Sequence, residues 1–308
     1  MNASGVAVAA EHLTKRYGGL AAVDDLTFEV PAGQLVAVLG PNGAGKTTTL
    51  EMLEGFVAPT SGTARVLGAD PRRGGRAWRA RIGLVLQSTS LEAELTVRET
   101  LALYARPYPA PRPVGEVMNL AGLTDDAQTR VGVLSGGQRR RVDLAIGIIG
   151  QPEVLFLDEP TTGLDPEARR RTWHAVQDLT AAGTTVILTT HYIDEAGYLA
   201  DRLLLISAGR LLADTTPGKL RALGGPPVVR YPLRDPALTA DLPAGLACHY
   251  DRDARALIIR SGDLAAALRD LLAWAGPKSL DLSALEVGPP SLEDAYLTAI
   301  GELPGSNS

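Results

Sequence analysis

The eight residues GPNGAGKT at 40–47 follow the pattern G-x-x-x-x-G-K-[ST], with three glycines ahead of one lysine and one threonine. Gly43 and Gly45 permit backbone angles and a close approach that side chains would block. Bare N–H groups at a helix mouth attract phosphate. Lys46 adds a point charge for the β- and γ-phosphates of a nucleotide, and the Thr47 hydroxyl can ligate Mg2+. A second stretch, VLFLDEP at 154–160, ends an apolar run on two adjacent carboxylates. Asp158 can reach the same magnesium, directly or through water. Glu159 beside it can polarise an attacking water as general base.

Two further polar residues end apolar runs in the same manner. Gln87 follows RIGLVL and could contact the magnesium or its water. His191 follows TTVILTT; it is either a satisfied core histidine or a group that reaches a γ-phosphate. LSGGQ, 134–138, is a different kind of site. Ser135 and Gln138 have capping-box spacing, and Val142, Ala145, Ile146 and Ile149 follow at helical intervals. Ser135, Gly136 and Gly137 therefore form a helix N-terminus with bare amides and no acid or nucleophile. That is either a plain capped helix or a second anion site, which would serve a nucleotide held by another copy of the chain.

The elements that position these residues are legible in outline. Runs 34–40, 81–87, 153–159 and 184–190 are continuously apolar, as buried parallel strands require, and helical stretches at 46–56, 138–149 and 167–182 separate them. Runs 5–11, 23–30, 62–67 and 202–213 alternate, which predicts a smaller antiparallel sheet at one side. Residues 88–150 break the rhythm and read as a helical insertion with a proline-rich connector at 106–115. GGPP at 224–227 marks a boundary. Beyond it, strands at 228–232, 246–250 and 255–260, a helix at 263–275 and a last helix from about 291 predict a small α+β domain. The expected division is 1–225 and 226–308.

Composition sets limits. The chain has 308 residues, 45% of them apolar, and a net charge of −5, which disfavours nucleic acid as a partner. No apolar run reaches membrane-spanning length, and the first residues lack a secretory pattern. One cysteine, Cys248, leaves no internal disulfide and suits the cytosol. The four histidines at 12, 174, 191 and 249 show no zinc spacing. The arginine runs 139–141 and 169–171 read as solvated helix faces with an occasional ion pair.

Taken together, the motifs resemble those of the ATP-binding cassette (ABC) ATPases over about residues 5–222. GPNGAGKT resembles their Walker A motif, VLFLDE their Walker B, LSGGQ their signature, and GLDP at 163–166 their D-loop with Asp165. Gln87 resembles the Q-loop glutamine and His191 the switch histidine. Tyr17 resembles the aromatic that stacks on adenine. The resemblance implies a P-loop cassette of the α/β class: a mixed core sheet, an antiparallel side sheet and a helical insertion. It implies ATP and Mg2+ as cofactors, with Glu159 and His191 catalytic and Thr47, Gln87 and Asp158 at the metal. ATP contacts would come from Tyr17, Gly40, Pro41, Asn42, Gly43, Ala44, Gly45, Lys46, Thr47, Thr48 and Gln87. Ser135, Gly136, Gly137, Gln138 and Asp165 would complete the site. Two cassettes would stack head to tail, each signature helix meeting the ATP on its partner.

The wider wording, including DEPTTGLDPEARR, THYIDEA and PPSLEDAYLTAIG, resembles bacterial drug-export ATPases of the daunorubicin-resistance type. The expectation is a cytoplasmic ATPase, held peripherally at the inner membrane face by a separate permease and driving efflux of a drug or other hydrophobic compound. An importer ATPase is the nearest alternative, and a non-transport ABC ATPase the next. Repair or chromosome-structure ATPases carry a long coiled coil between the Walker motifs, whereas only 112 positions separate Lys46 from Asp158 here.

Overall fold

The computed structural model describes residues 5–86, 91–233, 235–243, 245–252, 255–278 and 280–301. It divides into two compact units, 1–217 and 218–308. The first unit opens with β1 (Val6–Tyr17), β2 (Leu20–Pro31), β3 (Leu35–Leu39), α1 (Lys46–Glu54) and β4 (Ser61–Val66). It continues through α2 (Arg76–Arg79), β5 (Ile82–Val85), α3 (Val97–Ala105), α4 (Val114–Leu120) and α5 (Gly136–Ile148). It ends with β6 (Val154–Asp158), α6 (Pro166–Ala181), β7 (Thr185–Thr190), α7 (Ile193–Leu199), β8 (Arg202–Ser207) and β9 (Arg210–Thr215).

The central sheet has the order β5-β6-β7-β3-β8-β9 and is parallel except for the final pair. Strands β3, β6 and β7 are buried along their whole length, which is why their sequences are uninterruptedly apolar. Parallel alignment brings the C-terminal ends of β3, β6 and β7 to one edge. The loop 40–47, Asp158 and His191 meet there because each follows one of those ends.

The expected side sheet forms from β2, β1 and β4, in that order and antiparallel. Residues 202–213 do not join it. They form the β8–β9 hairpin and complete the central sheet, with β8 parallel to β3 from Val36↔Arg202 to Leu39↔Leu205. The reason is burial: Leu203, Leu204, Leu205 and Ile206 are consecutive and all buried, which a strand with one wet face cannot provide. β1 also runs further than its alternation predicts. His12 adopts a φ of 52°, and the register against β2 shifts between Ala10 and Leu13. This bulge exposes Glu11 and His12 in succession and then returns Leu13 to the core.

The helical insertion carries α3, α4 and α5. Thr96 and Glu99 cap α3 reciprocally. α5 lies close on β5, since a Cβ on Gly83 would sit 2.1 Å from the Gly147 carbonyl and one on Gly147 would sit 2.6 Å from Val85 Cγ2. That proximity lays the last turn of α5 directly on β5.

The second unit contains α8 (Pro217–Leu223), β10 (Val228–Pro232), β11 (Cys248–Asp251), β12 (Ala256–Arg260), α9 (Leu264–Ala275), β13 (Glu286–Gly288) and α10 (Leu292–Gly301). Its antiparallel sheet has the order β11-β12-β10-β13. Val229, Tyr231, Leu257, Ile259, Leu271 and Trp274 form its core. The three-residue strand β13 was not anticipated. The division falls ahead of the expected 225/226 because α8 goes with the second unit. Just past α8, a Cβ on Gly224 would sit 2.7 Å from Pro290 Cβ, which ties this end to the start of α10. Among the described residues no helix is long and apolar enough to cross a membrane.

Candidate functional site

The loop 40–47 turns through left-handed backbone at Gly43 (φ 79°) and Gly45 (φ 99°). A side chain at Gly45 would bring a Cβ within 2.3 Å of the Ala22 carbonyl, and one at Gly40 within 2.2 Å of the Ile206 carbonyl. Glycine is therefore dictated by neighbouring backbone as well as by φ. Lys46 opens α1 and is 5% exposed. Its Nζ donates to the carbonyls of Gly40 (2.8 Å) and Pro41 (3.0 Å), so the loop closes on its own cation. Burial pulls the Lys46 pKa down, while Glu159 and Asp158 oppose that fall. Pro41, Asn42 and Thr47 are exposed, Ala44 is buried and Thr48 is half-buried.

Thr47 Oγ1 lies 3.3 and 3.4 Å from the two Asp158 oxygens, so hydroxyl and carboxylate converge. Thr189, on β7, donates to Asp158 Oδ1 at 2.5 Å and fixes that carboxylate. Glu159 takes a φ of 47°, a left-handed conformation costly for a non-glycine residue. Its amide is held by the carbonyl and hydroxyl of Thr189, each at 3.1 Å. Its carboxylate meets His191 Nδ1 at 3.1 Å and accepts from Thr162 Oγ1 at 3.2 Å. Thr189 and Thr162 were not singled out from sequence. Threonine is common at strand ends, and only the fold aims these two hydroxyls at carboxylates.

The signature residues lie at the mouth of α5. Ser135 Oγ accepts from the Gln138 amide at 3.2 Å, and the Ser135 amide donates to Gln138 Oε1 at 2.8 Å. Gln138 Nε2 also donates to Asp126 Oδ1 at 2.8 Å. The Ser135 amide is thus engaged inside the capping box. The amides of Gly136 and Gly137 belong to the first turn and have no intrahelical acceptor. A Cβ on Gly136 would meet nothing within 4 Å, and one on Gly137 would make ordinary contact with Leu164 Cδ2 at 3.5 Å. Among the described residues nothing demands glycine at either position.

Asp165 caps α6 by accepting from the amides of Glu167 and Ala168, both at 2.9 Å. Those amide bonds, the Ala168 one foremost, hold its pKa below the usual carboxylate value. Tyr17 ends β1 half exposed, with Lys15 Nζ 4.9 Å from its ring centre. Gln87 lies outside the described residues. The fold therefore gathers Thr47, Asp158, Glu159 and His191 into one edge linked by hydrogen bonds through Thr189, with Lys46 held beside it by the loop carbonyls. Among the described residues no hydrogen bond joins the signature group 135–138 to that edge. A cleft of about 790 Å3 between α2 and the connector at 106–110 is elsewhere, away from this chemistry.

The ABC transporter family matches this chain over residues 23–162. The daunorubicin/doxorubicin resistance ATP-binding protein DrrA of Streptomyces peucetius is 40% identical, over 96% of this chain and 92% of that protein. The Nod factor export ATP-binding protein I of Rhizobium johnstonii is 38% identical, over 97% and 96%. Among solved structures, an ATP-binding subunit of an ABC transporter superposes with a TM-score of 0.64 at 26% identity, covering 71% of this chain and 92% of that one.

Proposed function

Since the chain belongs to the ATP-binding proteins of the ABC transporter family, we propose that it powers an exporter as two identical subunits closing around two ATP molecules. It is an ATP-hydrolysing transporter subunit. The observation that carries the closed pair is the mouth of α5. Glycine is unfavourable in a helix, yet Gly136 and Gly137 occupy its first turn without steric need. Bare amides there suit an anion brought from outside the chain. The open edge at 40–47, with Asn42 and Thr47 exposed, suits a second surface laid over it.

In this reading adenine stacks on Tyr17 and the phosphates lie in the loop from Gly40 to Thr48. Lys46 leaves the carbonyls of Gly40 and Pro41 and faces the β- and γ-phosphates. Thr47 and Asp158 fit Mg2+, a hard cation that takes a few protein oxygens beside phosphate, and Gln87 is proposed as a further ligand from its sequence alone. When bound, Mg2+ offsets charge on the phosphates. Glu159 accepts a proton from the attacking water, and His191 holds the Glu159 carboxylate while facing the γ-phosphate. Ser135, Gly136 and Gly137 of the second copy meet that phosphate, with Gln138 supporting their turn and Asp165 lying alongside.

A separate permease is the proposed membrane partner, with this chain on its cytoplasmic side. Near-full-length similarity to proteins named for daunorubicin resistance and Nod factor export supports export, with a drug or other hydrophobic compound as cargo. Residues 218–308 are proposed as an accessory domain.

The test is Glu159→Gln. ATP should still bind, hydrolysis should fall by roughly 10²–10⁴, and an ATP-bound dimer should accumulate, visible by light scattering. Adding Ser135→Arg should dissolve the dimer and spare binding to the monomer. A double variant that stays dimeric, or a Glu159→Gln protein that never dimerises even with its permease, would overturn the reading.

A further inference from the structure

The arginine run after LSGGQ is not one solvated face. Arg139 is exposed, but the side chains of Arg140 and Arg141 are only 10% and 12% exposed. Arg141 pairs with Asp126 at 3.7 Å. Arg140 stands 4.0 Å from Asp143 on its own helix and also reaches beyond that helix. Its guanidinium donates to the carbonyl of Leu86, just past β5, and to three successive carbonyls at and beyond the end of β6: Asp158 (2.6 Å), Glu159 (3.0 Å) and Pro160 (3.1 Å).

Those carbonyls converge because Glu159 is left-handed, which bends the chain around one point. A strained backbone of this kind persists when its surroundings over-determine it, and here a cation does so. A planar fork with five donors can serve several carbonyls at once, which a lysine point charge cannot. Burial pulls the Arg140 pKa down, and Asp143, Asp158, Glu159 and Glu195 oppose that fall.

We propose that Arg140 is a positioning residue coupling the two nucleotide sites of the pair. The mouth of its helix meets the phosphate held by the partner, and its guanidinium fixes the backbone that aims Glu159 at the chain's own nucleotide. Closure over one ATP thereby sets the base at the other. This rests on the closed-pair reading above.

The test uses the full chain with Arg140→Gln and Arg140→Lys, each alone and with Glu159→Gln. Hydrolysis is measured against ATP concentration, binding with a fluorescent ATP analogue, and folding by thermal melting. Two coupled sites give the parent a Hill coefficient above one and up to about two. Arg140→Gln should bring it to about one and lower kcat by roughly ten- to a hundredfold, the cost of a misplaced group. Analogue affinity should stay within about twofold, as expected for a residue off the binding loop. Arg140→Lys should recover part of kcat without the cooperativity. On the Glu159→Gln background, Arg140→Gln should lower the residual rate no further, because residues acting as a unit are not additive. If Arg140→Gln misfolds, Arg140→Lys decides by the same two readouts.

A cooperative parent whose Arg140 variants keep both kcat and Hill coefficient overturns the proposal and leaves the closed pair standing. So does a loss that adds in full to that of Glu159→Gln. Absence of an ATP-driven Glu159→Gln dimer overturns both.

Discussion

Two helix N-termini in this chain carry glycine for opposite reasons. Ahead of α1, the fold compels it: Gly45 has a φ of 99°, and a Cβ there would strike the Ala22 carbonyl. At α5 the space around Gly136 is empty and that around Gly137 is ordinary. The first mouth is also furnished with a lysine, a hydroxyl and two carboxylates, while the second presents amides, one hydroxyl and the Gln138 side chain held by Asp126. Shape dictates the first set of glycines, and the proposed access to an outside anion would account for the second. In the proposed closed pair, the first mouth binds an anion alone and the second shares one held by the other copy.

The contrast breaks most sharply at Gly45. Gly45→Ala should cost about 1–3 kcal/mol of backbone strain and weaken ATP binding to the monomer by at least about tenfold. Isothermal titration reads the affinity and a melt reads the strain. Unaltered binding would mean that the loop is not shaped by this glycine.

Gly137→Ala should behave in the reverse way. The fold should not be weakened, since alanine is the better helix former by up to about 1 kcal/mol. Monomer affinity for ATP should not change. The dimer trapped by Glu159→Gln should loosen by about 1–3 kcal/mol, the usual range for a methyl forced into filled space. Sedimentation across protein concentrations measures that difference. A dimer indifferent to the methyl would remove the distinction between the two mouths.

The smallest expected effect concerns the far end of α1. Glu54 is buried there, and its pKa is pushed up to about 8 by that burial and by the nearby carboxylates of Asp158 and Glu51. The folded chain therefore holds a proton that the unfolded chain releases above its ordinary value of 4.5. Stability from this group is complete at low pH and is lost as pH climbs from that value towards about 8. Glu54→Gln should flatten this part of the pH dependence, so that melting temperatures of parent and variant diverge between about pH 5 and pH 8. Parallel curves would show that the carboxyl is not protonated in the folded chain.

The site was legible where chemistry follows strand ends directly. Lys46, Thr47, Asp158, Glu159 and His191 each stand at or just beyond an apolar run, and parallel strands carry such residues to one edge. The capping box of Ser135 and Gln138 was legible as well, because it is a contact between residues three apart. Less was legible where the outcome depends on which surface a segment finds. The β8–β9 hairpin alternates enough to suggest a side sheet, but four consecutive apolar residues in β8 draw it onto β3. Arg140 looked like one of three charges on a wet helix, since helical spacing alone turns neighbours about 100° apart.

What the sequence determined by itself is therefore local: apolar runs that bury as strands, glycines at helix mouths, caps, and the order of chemical groups along the chain. These follow from backbone sterics and hydrophobic periodicity over a few residues. Only the tertiary structure decided that Thr189 would fix Asp158 and that Glu159 would bend into left-handed backbone against His191. It alone gathered the carbonyls of Leu86, Asp158, Glu159 and Pro160 around Arg140. A buried cation must be satisfied by whatever acceptors packing brings to it, and most of those here are backbone atoms that every residue type carries.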